Sequence, residues 1–342
     1  MNKYRFAVID DATFDDFATI HPMNSIFQNS AWAKVKSNWE CIYVAVFEKN
    51  LIVAAALVLL RPLKLNIKFG YINKGPLIDF KNTDLVSFFF VNLKIEMRKR
   101  KVIFVKVDPK YLILNTTVEQ KELVKVYRDE HFVSLLKNCG LRHSGYTMNL
   151  HDTIQPRMQM TFEINDNIDT AIGSKTMKKV RASLRKGVDF KFENTAENLA
   201  HLINYTESRH DIKLRGKLYF QSVLDSFKKD AVVLTAFFEG TPISSCLLVK
   251  SKDTCEILYS GYNDDFKHLK STYPMRYKAI EYAKESKCTY FNFGGVEGSL
   301  DDGLTIFKSS FRPRVYVYAG EFESYPFGYI SRLAAYIYKK MK

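Results

Sequence analysis

The hydrophobic pattern of the chain shows the same succession of elements in each half. A hairpin of two apolar strands is followed by a helical pattern and then by one more apolar strand. The hairpins fall at residues 43–60 and 232–249, and the later strands fall at residues 102–107 and 289–293. Recurrence over so long a distance predicts two copies of one α/β unit, arranged as a pseudo-dimer within the chain.

The length of 342 residues agrees with two domains, because it exceeds what one hydrophobic core usually organises. We predict a first domain at residues 1–150 and a second domain at residues 151–322. Residues 323–342 carry apolar side chains at helical spacing beside several lysines and arginines. They predict a C-terminal basic helix, which either lies on a membrane surface or packs on its own protein.

Composition and cysteine usage indicate a reduced, globular protein. Hydrophobic residues make up 46% of the chain, and the longest apolar run, residues 51–60, is too short to cross a bilayer. The first residues lack the apolar stretch of a secretory signal, so we expect a cytoplasmic protein. The five cysteines and seven histidines show no metal-ligand spacing, so we expect mostly buried thiols and no bound metal.

The net charge of +14 favours polyanionic partners such as nucleic acid, nucleotide diphosphates or an anionic membrane surface. The pattern at residues 174–187 predicts a basic helix that is capped by Ser174 and ended by Gly187. Beside its apolar stripe, this helix carries six cations and no acid: Lys175, Lys178, Lys179, Arg181, Arg185 and Lys186. This surface either contacts the phosphates of RNA or is a solvated, lysine-rich face.

The order of hairpin, helix and strand resembles the GNAT acetyltransferase fold. Members of that fold usually bind coenzyme A through a glycine-rich loop, since glycines let backbone N–H groups approach the pyrophosphate. The matching stretch here, residues 268–274, contains no glycine, and the first half has no such loop either. We therefore expect no coenzyme A.

The remaining motifs resemble the FemABX aminoacyltransferases, which use aminoacyl-tRNA to build the interpeptide bridge of bacterial peptidoglycan. The motifs follow the order of the family over nearly the whole chain, at residues 27–36, 71–76, 107–109, 154–157, 290–295 and 303–311. Larger members carry a coiled-coil arm after the basic helix, and only residues 189–202 stand in its place. The resemblance is therefore to the short, armless, FemX-like branch.

This resemblance implies a mixed α/β protein of two tandem GNAT-like domains, whose last helix packs back on the first domain. It implies transfer of an amino acid of the Gly, Ala or Ser class to the stem-peptide amine of UDP-muramyl pentapeptide or lipid II. Aminoacyl-tRNA is then the co-substrate, and neither coenzyme A nor a metal is expected. We expect a monomer with at most peripheral contact at the inner face of the membrane.

The resemblance also implies roles for individual cations. It assigns Lys308, beside Phe307, to the tRNA terminus and to the negative charge of the transition state. It assigns Lys36 and Arg215 to the diphosphate or sugar of the acceptor. Arg209, six residues before Arg215, is an alternative to Arg215.

Lys74 stands where the family usually has arginine, so it lacks the bidentate fork that suits a phosphate. Asp108 ends an apolar strand before proline and either holds or deprotonates the incoming amine or forms a turn. Gly294 and Gly295 allow close approach of a ligand to the backbone or form a tight turn. Three tyrosines are candidate hydroxyl donors or stacking platforms: Tyr219, Tyr259 and Tyr262.

Other classes of function remain open at this point. The same fold serves tRNA-dependent transfer to a small metabolite. A non-catalytic homologue that binds muramyl peptide or acts in immunity is a further alternative, and Ser309-Ser310, where the family usually has Lys-Gly, is a sign of such drift. An ordinary GNAT acyltransferase is disfavoured because the pyrophosphate loop is absent.

Overall fold

The computed structural model describes residues 3–210 and 214–333, without the side chains of residues 208–210. Its strands are β1 (Tyr4–Ile9), β2 (Glu40–Glu48), β3 (Leu51–Pro62), β4 (Lys68–Asn73), β5 (Leu77–Ile78), β6 (Val102–Asp108), β7 (Leu112–Thr116), β8 (Leu141–His143), β9 (Met158–Glu163), β10 (Asp189–Glu193), β11 (Ala231–Phe238), β12 (Thr241–Lys250), β13 (Thr254–Tyr262), β14 (Tyr290–Val296), β15 (Arg314–Tyr318) and β16 (Phe322–Ser324).

The α-helices are α1 (Asp11–Ile20), α2 (Ser30–Val35), α3 (Thr83–Lys99), α4 (Lys121–Val126), α5 (Glu130–Asn138), α6 (Ile168–Ile172), α7 (Ser174–Arg185), α8 (Glu197–His210), α9 (Lys217–Phe227), α10 (Thr272–Glu285) and α11 (Gly303–Ser309). Residues 329–333 are also helical. No helix in the described ranges is long and apolar enough to span a membrane.

The chain forms two compact units. The first contains the chain up to Leu114, the segment Glu122–Arg157 and the described chain from Val317 onward. The second contains Asn115–Lys121 and Met158–Tyr316. The chain passes from the first unit to the second after Arg157 and returns to the first unit after Tyr316. The predicted boundaries at residues 150 and 322 fall near these two points. The predicted C-terminal helix lies partly outside the described residues, which end at residue 333.

The first unit is built on a sheet with strand order β1-β2-β3-β4-β6-β16-β8, and β5 pairs with β3. The strands β1 to β4 are antiparallel, and β6 joins β4 in parallel after α3 crosses over. Asn82 caps α3 by accepting a hydrogen bond from the backbone N–H of Leu85, and two cations lie in the last turn. Phe89 and Phe90 lie on the buried face of this helix.

The second unit repeats this arrangement in a sheet with strand order β10-β11-β12-β13-β14-β9-β15-β7. The strands β10 to β13 are antiparallel, and β14 joins β13 in parallel after α10 crosses over. The prediction of two α/β copies is confirmed by this order. Between α7 and α8 lies only the short strand β10, in agreement with the predicted lack of a coiled-coil arm.

The two units differ in how far their parallel strands stay together. In the first unit, β4 and β6 pair along the whole of β4, from Lys68 with Val102 to Asn73 with Asp108. In the second unit, β13 pairs with β14 only through Glu256. Beyond that residue, β13 continues on β12 and β14 continues on β9. The second sheet therefore opens between the last residues of β13 and β14.

Candidate active site

At the opening between β13 and β14, neither strand is hydrogen-bonded to the other. Tyr259 and Ser260 on β13 are half-buried, and so are Gly294 and Gly295 on β14. Successive residues of a strand point to opposite faces, so Tyr259 and Ser260 serve the two faces of the sheet at this point.

A bulge in β14 accounts for the double glycine. Gly294 has a φ of 85°, a backbone conformation that favours glycine. Its N–H donates to Oδ1 of Asn292 at 2.8 Å, and Nδ2 of Asn292 donates to Oε1 of Gln159 on β9 at 3.0 Å. The register between β14 and β9 shifts at this bulge. The strand then continues to Val296, so the predicted end of the strand at Phe293 is three residues early.

Lys308 lies on α11 beside this bulge and is buried, with 5% of its surface exposed. Its Nζ donates a hydrogen bond to the carbonyl oxygen of Gly295 at 2.6 Å. Burial, with a smaller contribution from the Arg276 guanidinium, lowers the pKa of Lys308 to about 7, against a weaker opposing effect of Asp302. A lysine of this kind exchanges its proton near neutral pH, and it is not a surface lysine.

Phe307, the neighbour of Lys308, is half-buried in an aromatic cluster. Its ring meets the ring of Tyr273 on α10 edge-on, with centroids 5.1 Å apart. Nζ of Lys179 donates to the hydroxyl of Tyr273 at 2.9 Å. This contact joins one cation of the predicted basic helix to the aromatic cluster beside Lys308.

The predicted basic helix is α7, with Met177 and Val180 buried as expected. Ser174 is its first residue and not its cap, because Gly173 occupies the N-cap position without a side-chain hydrogen bond. Five cations of the set are exposed: Lys175, Lys178, Arg181, Arg185 and Lys186. Arg181 pairs with Asp169 at 3.0 Å. Most of the predicted phosphate-contacting surface is therefore accessible.

Arg215 lies with two of the predicted tyrosines. Its guanidinium lies over the ring of Tyr219, 5.4 Å from the centroid, and the rings of Tyr219 and Tyr259 meet edge-on at 6.0 Å. Hydrogen bonding to Tyr219 and to Arg215 moderates the rise in the pKa of Tyr259 that burial causes. Tyr262, the last residue of β13, is half-buried and pairs with Ser244 on β12. The side chain of Arg209, in α8, is outside the described part of the chain.

In the first unit, Asp108 and Lys74 form a buried ion pair. Nζ of Lys74 lies 3.1 Å from Oδ2 of Asp108, and the side chains are 4% and 3% exposed. Burial raises the pKa of Asp108 to about 6 against the opposing effect of Lys74, and the Glu321 carboxylate adds to the rise. Glu321 itself pairs with Lys106. Lys74 thus has a carboxylate as its counter-ion, and its predicted contact with a substrate phosphate stays a prediction.

Lys36 ends α2 in the same unit, with its Nζ 5.0 Å from the centre of the Trp32 ring. The Trp32 side chain is buried and the lysine is half-buried. An aromatic face beneath the ammonium restricts the directions in which it can meet an anion.

One buried cation of the second unit lies outside the sequence motifs. Arg276 shares a helical face of α10 with the buried residues Ala279, Ile280 and Ala283, and its charge helps to lower the pKa of Lys308. A charged residue on an otherwise apolar stripe is the sequence signal that would have revealed it.

The geometry described above defines a tandem GNAT-like protein with a buried lysine at an opening of its second sheet. The sequence matches the FemAB family over residues 9–239 and 238–339. The chain therefore belongs to the FemAB family, and the resemblance noted from its motifs is confirmed.

Two curated relatives cover nearly the whole chain. One is the UDP-N-acetylmuramoylpentapeptide-lysine N(6)-alanyltransferase of Weissella viridescens, 28% identical over 321 residues, which cover 89% of this chain and 90% of the relative. Another is the lipid II:glycine glycyltransferase of Staphylococcus aureus, 22% identical, with 92% of this chain and 91% of the relative covered.

Solved structures agree with the fold. The crystal structure of FemX matches with a TM-score of 0.81 and 21% identity, covering 94% of this chain and 97% of that one. A tandem GNAT protein from the clavulanic acid biosynthesis pathway matches with a TM-score of 0.58 and 8% identity, covering 94% and 98%. The predicted fold of two tandem GNAT-like domains is confirmed.

The buried pair in the first unit generates a prediction about stability. Lys74→Met leaves the Asp108 carboxylate buried without a counter-ion and should lower the free energy of unfolding by about 3–5 kcal/mol. Adding Asp108→Asn removes the unpaired charge and should recover most of that loss. Denaturant unfolding of the single and double variants measures both effects.

Lys68→Met is the matched control, because Lys68 pairs with a Glu40 side chain that is 53% exposed. Its loss should stay within about 1 kcal/mol. Equal stability of Lys74→Met and the wild type would contradict the burial of the pair.

Proposed function

We propose that this chain is an aminoacyltransferase that moves an amino acid from aminoacyl-tRNA to the stem-peptide amine of a peptidoglycan precursor. The observation that carries the proposal is a buried lysine held at the opening of the second sheet in a chain of the FemAB family. The relative with the higher identity is named for a UDP-linked muramyl pentapeptide, which favours that acceptor over lipid II.

The reaction needs few chemical steps, because the ester that joins the amino acid to tRNA is already activated. The neutral stem-peptide amine attacks the ester carbonyl, a C–N bond forms and the carbonyl oxygen becomes an oxyanion. The C–O bond to the ribose then breaks, the ribose oxygen takes up a proton and the amine loses one. Positioning of the two substrates and stabilisation of the oxyanion supply most of the catalysis.

Lys308 suits two of these tasks. In its protonated form, the ammonium stabilises the oxyanion. Because burial lowers its pKa to about 7, it also exchanges a proton with the reacting groups near neutral pH. Phe307 and Tyr273 beside it offer aromatic faces on which a terminal base of tRNA can stack.

The remaining groups bind substrate in this proposal. The exposed cations of α7 bind tRNA phosphates, and Lys36 and Arg215 bind the diphosphate of the acceptor. Aminoacyl-tRNA as the donor, independence from coenzyme A and metal, a monomeric state and cytoplasmic location with peripheral membrane contact are parts of the same proposal.

Transfer of radiolabelled amino acids from charged tRNA tests the function directly. The acceptors are UDP-muramyl pentapeptide and, in parallel, lipid II in detergent. We expect product with the UDP-linked acceptor, and a fall in kcat of at least about 100-fold in Lys308→Met. Product with lipid II alone would correct the acceptor. Absence of product with both, from folded protein that binds an acceptor, would favour the non-catalytic or small-metabolite alternatives.

Thermal unfolding separates chemistry from folding in the same variant. Lys308→Met removes a buried ammonium while keeping most of the side-chain volume, so its melting temperature should not fall. A parallel loss of melting temperature and activity would contradict a chemical role for Lys308.

The diphosphate assignment predicts a salt effect. Lys36→Ala and Arg215→Ala should each raise KM for UDP-muramyl pentapeptide and reduce its dependence on salt concentration, because a charge contact is lost. Lys34→Ala is the matched control, since Lys34 is an exposed cation on the same helix as Lys36. A KM that responds equally to Lys34→Ala and Lys36→Ala would contradict a specific contact.

A further inference from the structure

Arg276 is a buried arginine that has no acidic partner among the described residues. It lies in the second turn of α10, and 5% of its surface is exposed. One of its N–H groups, on Nη2, donates to Oγ of Ser260 at 2.9 Å. The thiol of Cys246, the cross-strand neighbour of Ser260, partly offsets the lowering of the Arg276 pKa that burial causes.

Two nitrogens of this guanidinium have no hydrogen-bond partner. Nε and Nη1 are buried, and neither donates to any residue in the described part of the chain. No carboxylate among the described residues forms an ion pair with Arg276. Buried donors and buried charges are normally satisfied, because leaving them unpaired is costly. An arginine kept in this state indicates that its partner comes from outside the protein.

A second cation lies close by. The charge of Arg276 acts on Lys308, where it adds to the effect of burial in lowering the pKa of the lysine. Lys308 forms no ion pair with any described carboxylate either, and its recorded hydrogen bond goes to the Gly295 carbonyl. The two side chains thus concentrate donors and positive charge, without a counter-ion, in one buried place.

This place coincides with the opening of the second sheet. Ser260, which holds the guanidinium, belongs to the part of β13 that no longer pairs with β14. Gly295, which holds the lysine, belongs to the bulged part of β14. Each of the two separating strands therefore contacts one cation: β13 binds Arg276 through Ser260, and β14 binds Lys308 through Gly295.

We propose that Arg276 is a second cation beside Lys308 at the opening between β13 and β14, and that its unused donors bind an oxygen of the charged tRNA end. The inference rests on the proposed function for the identity of the ligand. Two oxygens of that end fit the chemistry: the ester carbonyl oxygen as it becomes charged, and the phosphodiester of the terminal nucleotide. A guanidinium with two unused donors binds either one through charge-assisted hydrogen bonds.

The test compares Arg276→Met and Arg276→Lys with the wild type. The Met variant keeps most of the volume and removes the charge, and the Lys variant keeps a charge without the fork. Arg314→Met is the control, because Arg314 is exposed in the same unit and bonds to Asn115. The readouts are kcat, KM for charged tRNA and the Kd of an uncharged acceptor-stem minihelix.

The two sources of the oxyanion give different results. If the ester oxygen is the ligand, Arg276→Met should lower kcat about 100-fold while the Kd of the uncharged minihelix stays unchanged. If the phosphodiester is the ligand, the Kd and KM should rise at least tenfold, and Arg276→Lys should recover part of the loss. Values of kcat, KM and Kd within twofold of the wild type in Arg276→Met would overturn the proposal.

A direct binding measurement keeps the proposal testable if transfer itself is not observed. Binding of inorganic phosphate can be followed by ³¹P NMR line broadening. Phosphate should bind to the wild type and to Arg314→Met with similar affinity, and it should bind to Arg276→Met at least tenfold more weakly. Equal phosphate binding by all three proteins would overturn the proposal independently of the transfer reaction.

Thermal unfolding distinguishes a functional arginine from a structural one. Removal of a buried, unpaired charge should leave the melting temperature of Arg276→Met equal to or above that of the wild type. A lower melting temperature accompanied by a proportional loss of activity would identify a structural role and overturn the proposal. Arg276→Lys supplies the kinetic comparison if the Met variant does not fold.

Discussion

The burial of one ammonium group, that of Lys308, is the constraint on which the candidate site depends. A lysine in water has a pKa of 10.5 and is a fixed charge at neutral pH, whereas burial next to a guanidinium lowers that pKa to about 7. The folded state then binds fewer protons than the unfolded chain between about pH 7 and pH 10.5. The contribution of this lysine to stability therefore rises with pH across that window.

The same α/β plan holds different polar groups in the two units. In the first unit, parallel pairing along all of β4 places Asp108 at the end of a closed sheet, where Lys74 neutralises it. In the second unit, the pairing of β13 with β14 ends early, and a glycine bulge presents a carbonyl oxygen to Lys308. The two sheets therefore differ in charge at this point: the first holds a carboxylate paired with an ammonium, and the second holds an ammonium that is hydrogen-bonded to a carbonyl oxygen.

Much of the fold followed from the sequence, because hairpins and amphipathic helices are local patterns. The paired units and the apolar stripe of α7 were predicted from such patterns, and the missing arm was predicted from the family resemblance. The end of β14 and the cap of α7 were predicted at the wrong residues. Both depend on glycines with positive φ, Gly294 and Gly173, and the hydrophobic pattern does not show the φ angle of a glycine.

The site was predictable only where a family motif marked it. Lys308 was found in this way, whereas Arg276 lies outside the family motifs and was missed, although its place on an otherwise apolar helical face would have marked it. The ion pair of Lys74 with Asp108 was missed for a different reason: parallel strands β4 and β6 bring together residues that are 34 positions apart, the difference between 108 and 74.

An NMR titration of the Lys308 side chain, assigned by comparison with Lys308→Met, tests the central claim most directly. The account predicts a titration midpoint near 7, far below the ordinary lysine value of 10.5. A midpoint close to 10.5 would show a solvated ammonium, and it would contradict the buried, proton-exchanging lysine on which the proposed chemistry depends.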